Sequence, residues 1–189
     1  MSIEKILASA PVVPVVVIEK LEDAAPLARA LYNGGLKALE ITLRTPIAAE
    51  AVKLMKAEVP EAFVGTGTVV DKASFEASVA AGADFMVSPG VSTELLALAK
   101  ESDIPFLPGA ATASEVMQLA SHGFKYLKFF PAEAAGGTAM LKSIGGPLPH
   151  ITFCPTGGIS LATAPNYLAL NNVICVGRTW ILDKHLIQT

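Results

Sequence analysis

Lys128 lies midway along an apolar, aromatic segment that runs from Lys125 to Pro131. Side chains alternate between the two faces of a β-strand, so Tyr126, Lys128 and Phe130 are expected to share one face. Loss of hydration there would favour the neutral amine, a nucleophile that can form a Schiff base with a ketone. The more ordinary interpretation of this segment alone is a lysine near a strand end whose ammonium reaches water.

Glu40 supplies a carboxylate that is predicted to point into the same protein interior as the Lys128 amine. Alternation along the apolar run at residues 38–44 directs Glu40, Thr42 and Arg44 to one face. Inside a barrel, a carboxylate needs a partner or a chemical task, because its burial is costly. Glu40 is therefore either in a structural ion pair with Lys128 or Arg44, or a general acid/base beside the amine. One pair can serve both purposes, although an ionised Glu40 would favour the charged amine and oppose the effect of burial.

Segments rich in glycine and threonine follow several of the apolar runs. Residues 65–68 read Gly-Thr-Gly-Thr, and threonine hydroxyls there can bind a carboxylate or a keto oxygen. Two later runs lead into a Thr-Gly-Gly sequence at 156–158 and a Gly-Arg-Thr sequence at 177–179. Each segment alone is typical of a turn, but together the last two predict an anion site built from backbone N–H groups.

Composition narrows the functional classes. The chain has 189 residues and a net charge of −3, without a basic run, so nothing indicates binding of nucleic acid. The apolar run at residues 12–18 is too short to span a bilayer, and the N-terminus does not resemble a signal peptide. Only 16% of the residues are charged, which predicts that some surface is covered in a homo-oligomer.

The cysteines and histidines give no sign of a metal site or of disulfides. Cys154 and Cys175 lie in separate apolar runs, so we expect reduced core residues in a cytoplasmic protein. The three histidines are scattered without ligand spacing. The sequence therefore predicts neither a zinc site nor a disulfide framework.

Eight β-branched or aromatic runs recur at similar intervals, with helix-forming segments between them. The predicted strands are residues 12–18, 38–42, 63–65, 85–88, 106–107, 126–130, 151–154 and 173–176. The pattern predicts one (β/α)8 barrel domain over residues 1–189, whose last helix is shortened or missing because few residues follow the last run. The alternative is an open doubly wound sheet, but no GxGxxG follows the first run.

Helix signals support this arrangement. A helix near residues 3–9 is expected to close the bottom of the barrel. The predicted N-cap residues of three later helices are Thr45, which precedes a proline, Asp71, and Thr112, which precedes Glu115 in a capping box.

Several motifs occur together in one order along the chain. They are Glu40 with residues 43–45, and residues 65–68, 87–90, 107–109, 128–133 and 153–158. In this combination the chain closely resembles the bacterial 2-keto-3-deoxy-6-phosphogluconate (KDPG) aldolases, which also act as 4-hydroxy-2-oxoglutarate (KHG) aldolases. The similarity runs from about Ile6 to Leu182. No single motif would be specific for this family, but the whole set in this order is.

The resemblance implies a metal-free class I aldolase without a cofactor, in a trimer of (β/α)8 barrels. The implied substrate of the enzyme is a phosphorylated 2-keto acid, KDPG, which is cleaved to pyruvate and glyceraldehyde 3-phosphate. The resemblance also implies cleavage of KHG to pyruvate and glyoxylate. It implies Lys128 as the Schiff-base lysine and Glu40 as the acid/base. The residues implied to contact the substrate are Arg44, Thr68, Pro89 and Phe130. Those implied to hold the phosphate are Thr156, Gly157, Gly158 and Thr179.

Arg178 departs from the pattern, because family members usually have a small residue there. It can strengthen phosphate binding, clash with the phosphate or point to solvent. Other functions that the sequence leaves open are an aldolase for the galactonate epimer, a phosphosugar isomerase that uses Glu40 as a base, and a non-catalytic trimeric assembly protein.

Overall fold

The computed structural model describes residues 1–178. Short strands form the wall of a barrel, and every pairing between them is parallel. In chain order the strands are β1 (Val12–Val16), β2 (Ala38–Thr42), β3 (Phe63–Gly67), β4 (Met86–Val87), β5 (Phe106–Leu107), β6 (Gly109–Ala110), β7 (Tyr126–Phe129), β8 (Thr152–Pro155) and β9 (Val176–Arg178).

Helices alternate with these strands along the chain. They are α1 (Ile3–Leu7), α2 (Ala24–Asn33), α3 (Ala48–Glu58), α4 (Lys72–Ala80), α5 (Thr93–Glu101), α6 (Ala113–Ser121), α7 (Gly137–Gly145) and α8 (Ala164–Leu168), and a 3₁₀ turn at Leu21–Asp23 precedes α2. None of these helices has the length and apolar character that a bilayer crossing requires. The predicted shortening of the last helix falls on residues 179–189, outside the described residues.

The strands close into a ring. Six follow the order β5-β4-β3-β2-β1-β9 and three the order β6-β7-β8. Pro108, which has no N–H to donate, separates β5 from β6. On the other side, Phe153 pairs with Val173 and Thr156 pairs with Gly177, which joins β8 to the β9 segment. The predicted (β/α)8 barrel is confirmed, with its fifth strand in two pieces, and an open doubly wound sheet is excluded.

Two of the three predicted N-caps are confirmed. Asp71 and Thr112 each accept a hydrogen bond from a backbone N–H three residues later and complete a capping box. The prediction for Thr45 is wrong, because α3 begins only at Ala48. The Thr45 hydroxyl instead donates to the carbonyl of Ile18 at 2.8 Å, which ties the loop after β2 to the loop after β1.

Alternation along the strands separates two cores. On β2, Leu39 and Ile41 pack outward among residues of α2 and α3, whereas Glu40 and Thr42 are buried on the opposite face. On β7, Leu127 and Phe129 likewise pack outward. The face that carries the candidate chemistry is therefore the barrel interior.

The bottom of the interior is an apolar plug. Ile6 and Leu7 of α1 are fully buried there among Phe85 and the two cysteines, so the predicted closing helix is confirmed. Cys154 and Cys175 are free thiols, and a hydrogen bond between them, together with burial, raises the pKa of Cys175. The thiols thus belong to the core, as the sequence predicts.

We expect that Leu7→Ala lowers the free energy of unfolding by about 2–5 kcal/mol, because the plug would be left with a cavity. Urea unfolding followed by circular dichroism measures this. Lys53→Ala, at an exposed position on α3, is the control and should change stability by less than about 0.5 kcal/mol. If Leu7→Ala lowered the free energy of unfolding by no more than the control does, the packing of α1 in the barrel would be contradicted.

Candidate active site

The interior holds one amine and one carboxylate side by side. The Lys128 Nζ lies 3.6 Å from the Glu40 Oε1, and the two residues are 5% and 3% exposed. The predicted proximity is therefore confirmed. The separation suits an ion pair but exceeds the 2.7–2.9 Å of a charge-assisted hydrogen bond. No group among residues 1–178 donates a hydrogen bond to this Oε1, so the oxygen is available for a proton or a substrate hydroxyl.

Gly67, at the end of β3, makes room for this carboxylate. A Cβ at Gly67 would lie 2.1 Å from the Glu40 Oε1 and 2.7 Å from its Cγ, which is impossible. Sequence analysis missed this role. The signal was present, because a glycine inside a strand often marks a close approach by another group.

Phe130 connects the amine to the predicted anion loop. The Lys128 Nζ lies 5.2 Å from the centroid of its ring, within the range of a cation–π contact. On the other side, a Cβ at Gly157 would be 3.3 Å from the same ring. The ring thus fills the space between the amine and the loop, as expected of a residue that lines the pocket.

Arg44 and Thr68 meet at the ends of β2 and β3. The Arg44 Nε donates to the Thr68 Oγ1 at 3.1 Å, which orients an otherwise exposed guanidinium. Thr68 has a φ of 61°, a left-handed conformation that is rare for a β-branched residue. Such strain is most common at functional sites. Thr66, by contrast, donates its hydroxyl to Ser78 of α4 and faces away from the interior.

Pro89 lies against the strand next to Lys128. A Cβ at Gly109 would be 2.3 Å from the carbonyl of Pro89, and Gly109 is the register partner of Lys128. Only a glycine allows the loop after β4 to approach β6 this closely. The structure thus brings the loop of Pro89 beside the strand that carries the amine.

The anion loop, defined as residues 156–158, is tied down by its carbonyls. The carbonyl oxygens of Thr156 and Gly157 accept hydrogen bonds from the amides of Ala132 and Glu133 at 2.8 and 3.1 Å. Gly157 and Gly158 have φ values of 102° and 77°, which glycine adopts readily. Within the described residues, no group accepts a hydrogen bond from the amides of these two glycines. Successive unpaired N–H groups of this kind suit an anion.

Arg178, at the end of β9, contacts the residue that directly follows the anion loop. Its guanidinium is buried and donates to the carbonyl of Ile159 at 2.9 Å. The expectation that it could point to solvent is therefore excluded. Thr179, which was predicted to bind phosphate, lies outside the described residues.

Comparison with known proteins identifies the family. The family model of KDPG and KHG aldolases matches residues 3–189. The chain belongs to this aldolase family. The 2-dehydro-3-deoxy-phosphogluconate aldolase of Dickeya dadantii is 50% identical over all of this chain and 88% of its own length. The KHG/KDPG aldolase of Escherichia coli K12 is 49% identical over 99% of this chain and 88% of its own length.

A solved structure agrees with this assignment. The KDPG aldolase of Legionella pneumophila, with pyruvate captured as a covalent carbinolamine, superposes with a TM-score of 0.95. It is 48% identical, and the match covers 98% of this chain and 90% of that one.

We expect Gly67→Ala to lower aldolase turnover by about 10- to 100-fold, because the new methyl group must displace the Glu40 carboxylate, and a shift of about 1 Å can cost 10²-fold. Pyruvate release in a coupled assay measures the rate. The control is Gly146→Ala at the end of α7, where a Cβ would meet only the Ser143 carbonyl at 3.6 Å. If Gly67→Ala turned over as fast as the control, the position of the Glu40 carboxylate would not be critical for catalysis.

Proposed function

We propose that this protein is a class I aldolase that cleaves KDPG to pyruvate and glyceraldehyde 3-phosphate, and KHG to pyruvate and glyoxylate. The observation that carries the proposal is the buried Lys128 amine 3.6 Å from the buried Glu40 carboxylate in the barrel interior. Relatives about half identical over nearly the whole chain that are named KDPG aldolase support the choice of substrates.

The reaction begins with the amine of Lys128. Its lone pair attacks the C2 ketone, and the resulting carbinolamine loses water to give an iminium. The leaving hydroxyl needs a proton, and the attacking neutral amine must give up one of its two protons. Glu40 is the acid/base beside both groups, and its Oε1 is close enough to exchange protons with the nitrogen directly or through a water.

Cleavage follows from the positive charge on the iminium. When the C4 hydroxyl gives its proton to Glu40, directly or through a water, the electron pair of the C3–C4 bond flows to the iminium nitrogen. The aldehyde leaves, and an enamine of pyruvate remains on Lys128. Glu40 returns a proton to the enamine carbon, and hydrolysis of the new iminium releases pyruvate and restores the amine.

Residues around the amine hold the two ends of the substrate. Arg44 offers a planar fork of N–H donors to the substrate carboxylate, and its contact with Thr68 supports this orientation. Pro89 and Phe130 line the pocket between the ends. The residues assigned to the phosphate are Thr156, Gly157, Gly158 and Thr179.

The chain is further proposed to act as a homotrimer in the cytoplasm. The low share of charged residues favours a covered surface, as do exposed apolar side chains such as Met117 and Leu161, which are 60% and 70% exposed. Two free, buried thiols fit a reducing compartment.

We expect borohydride to inactivate the protein irreversibly in the presence of pyruvate, with the mass of a reduced pyruvyl group added at Lys128. Peptide mass spectrometry locates the adduct. Lys128→Ala should lose both the adduct and cleavage of KDPG. Lys125→Ala, an exposed lysine just before the same strand, should keep both. Wild-type protein without an adduct would refute the class I mechanism.

Gly158→Ala should reduce kcat/KM for KDPG at least about tenfold more than for KHG, which has no phosphate. The methyl group would lie 2.8 Å from the Cβ of Glu133 and force the anion loop to move. Steady-state kinetics with both substrates measures the ratio, and Gly146→Ala again serves as the control. An equal loss for both substrates would place the phosphate elsewhere.

A further inference from the structure

A half-buried hydrogen bond that the proposed mechanism does not use lies behind the anion loop. Tyr167 of α8 is 1% exposed, and its hydroxyl donates to the Glu133 Oε1 at 2.7 Å. Glu133 lies in the loop after β7, and α8 follows β8. The bond therefore joins the segments that follow two neighbouring strands, with the anion loop between them in the chain.

Glu133 contacts both glycines of the anion loop. Its backbone N–H donates to the carbonyl of Gly157 at 3.1 Å. A Cβ at Gly158 would lie 2.8 Å from the Glu133 Cβ and 2.9 Å from its Cγ, so Gly158 packs directly on this side chain. Whatever fixes the Glu133 side chain therefore also fixes the surface on which the loop rests.

A buried tyrosine hydroxyl needs an acceptor, and a purely structural bond would serve only to supply one. That need does not explain why the acceptor is the residue that supports the anion loop. A carboxylate is also an unfavourable neighbour for a phosphate, because like charges repel. The hydrogen bond from Tyr167 holds this carboxylate at α8.

We propose that Glu133 and Tyr167 are positioning residues that hold the amides of Gly157 and Gly158 in place for the substrate phosphate. This inference rests on the proposed function of the loop. The Lys128 amine lies in the barrel interior, whereas the hydrogen bond lies behind the anion loop. Its loss should therefore weaken binding of the phosphorylated substrate and leave the carbon–carbon chemistry unchanged.

The test compares kcat/KM for KDPG with kcat/KM for KHG. Tyr167→Phe removes only the hydroxyl and should lower this ratio about three- to tenfold, the value of one hydrogen bond. The change should appear as a higher KM for KDPG, with kcat and the KHG parameters within twofold of wild type. Glu133→Gln keeps an acceptor for the hydroxyl and should keep the wild-type ratio or raise it.

Two further variants make the outcome decisive. Glu133→Met removes the acceptor at an exposed residue, so it should fold even if Tyr167→Phe does not, and it should lower the ratio. Tyr32→Phe removes a hydroxyl from α2, on another part of the barrel, and should change nothing.

The inference would be overturned if Glu133→Met, and Tyr167→Phe where it folds, kept the wild-type ratio of kcat/KM for KDPG to kcat/KM for KHG. This holds even if the melting temperature of the variants fell. Failure of the proposed function would look different, because the wild-type protein would then cleave neither substrate.

Discussion

The candidate site depends on one ion pair buried inside the barrel. Moving each ion out of water costs several kcal/mol, and their mutual attraction offsets much of this only while both are present. Such a pair adds little to stability, since apolar side chains of similar volume often do as well. Lys128 and Glu40 are nevertheless 5% and 3% exposed and lie 3.6 Å apart. Their retention is best explained by chemistry, because a desolvated amine next to a proton acceptor can attack a ketone.

Glycines supply the space that this arrangement needs. Gly67 leaves room for the Glu40 carboxylate, and Gly109 lets the loop after β4 approach the strand of the amine. Gly177 does the same for Thr156, whose Oγ1 would lie 2.2 Å from a Cβ at that position. A parallel strand tolerates glycine at a cost in conformational entropy. At these three positions that cost falls where functional groups or their loops approach a strand.

Alternation along β2 and β7 was enough to predict that Glu40 and Lys128 face one interior, because that inference needs only a period of two and a closed sheet. The role of Gly67 and the hydrogen bond between Tyr167 and Glu133 were not predicted. Each depends on where a side chain from one element meets another element distant in sequence. Thr45 shows the same limit. Its sequence context is typical of an N-cap, but its hydroxyl donates to the carbonyl of Ile18 in the loop after β1.

The two ends of the candidate site are held by different means. The amine and the carboxylate are fixed on strands, by packing in the interior. The anion loop is fixed by hydrogen bonds to its carbonyls, and its glycine amides have no acceptor among residues 1–178. Binding energy at a remote phosphate can hold a ketone against the amine, so that part of the cost of orientation is met away from the reacting carbon. A substrate without a phosphate must rely on the interior alone. The comparison of KDPG with KHG therefore separates the contribution of the anion loop from that of the interior. Phe130, which contacts both the loop and the amine, is the physical link between these two parts.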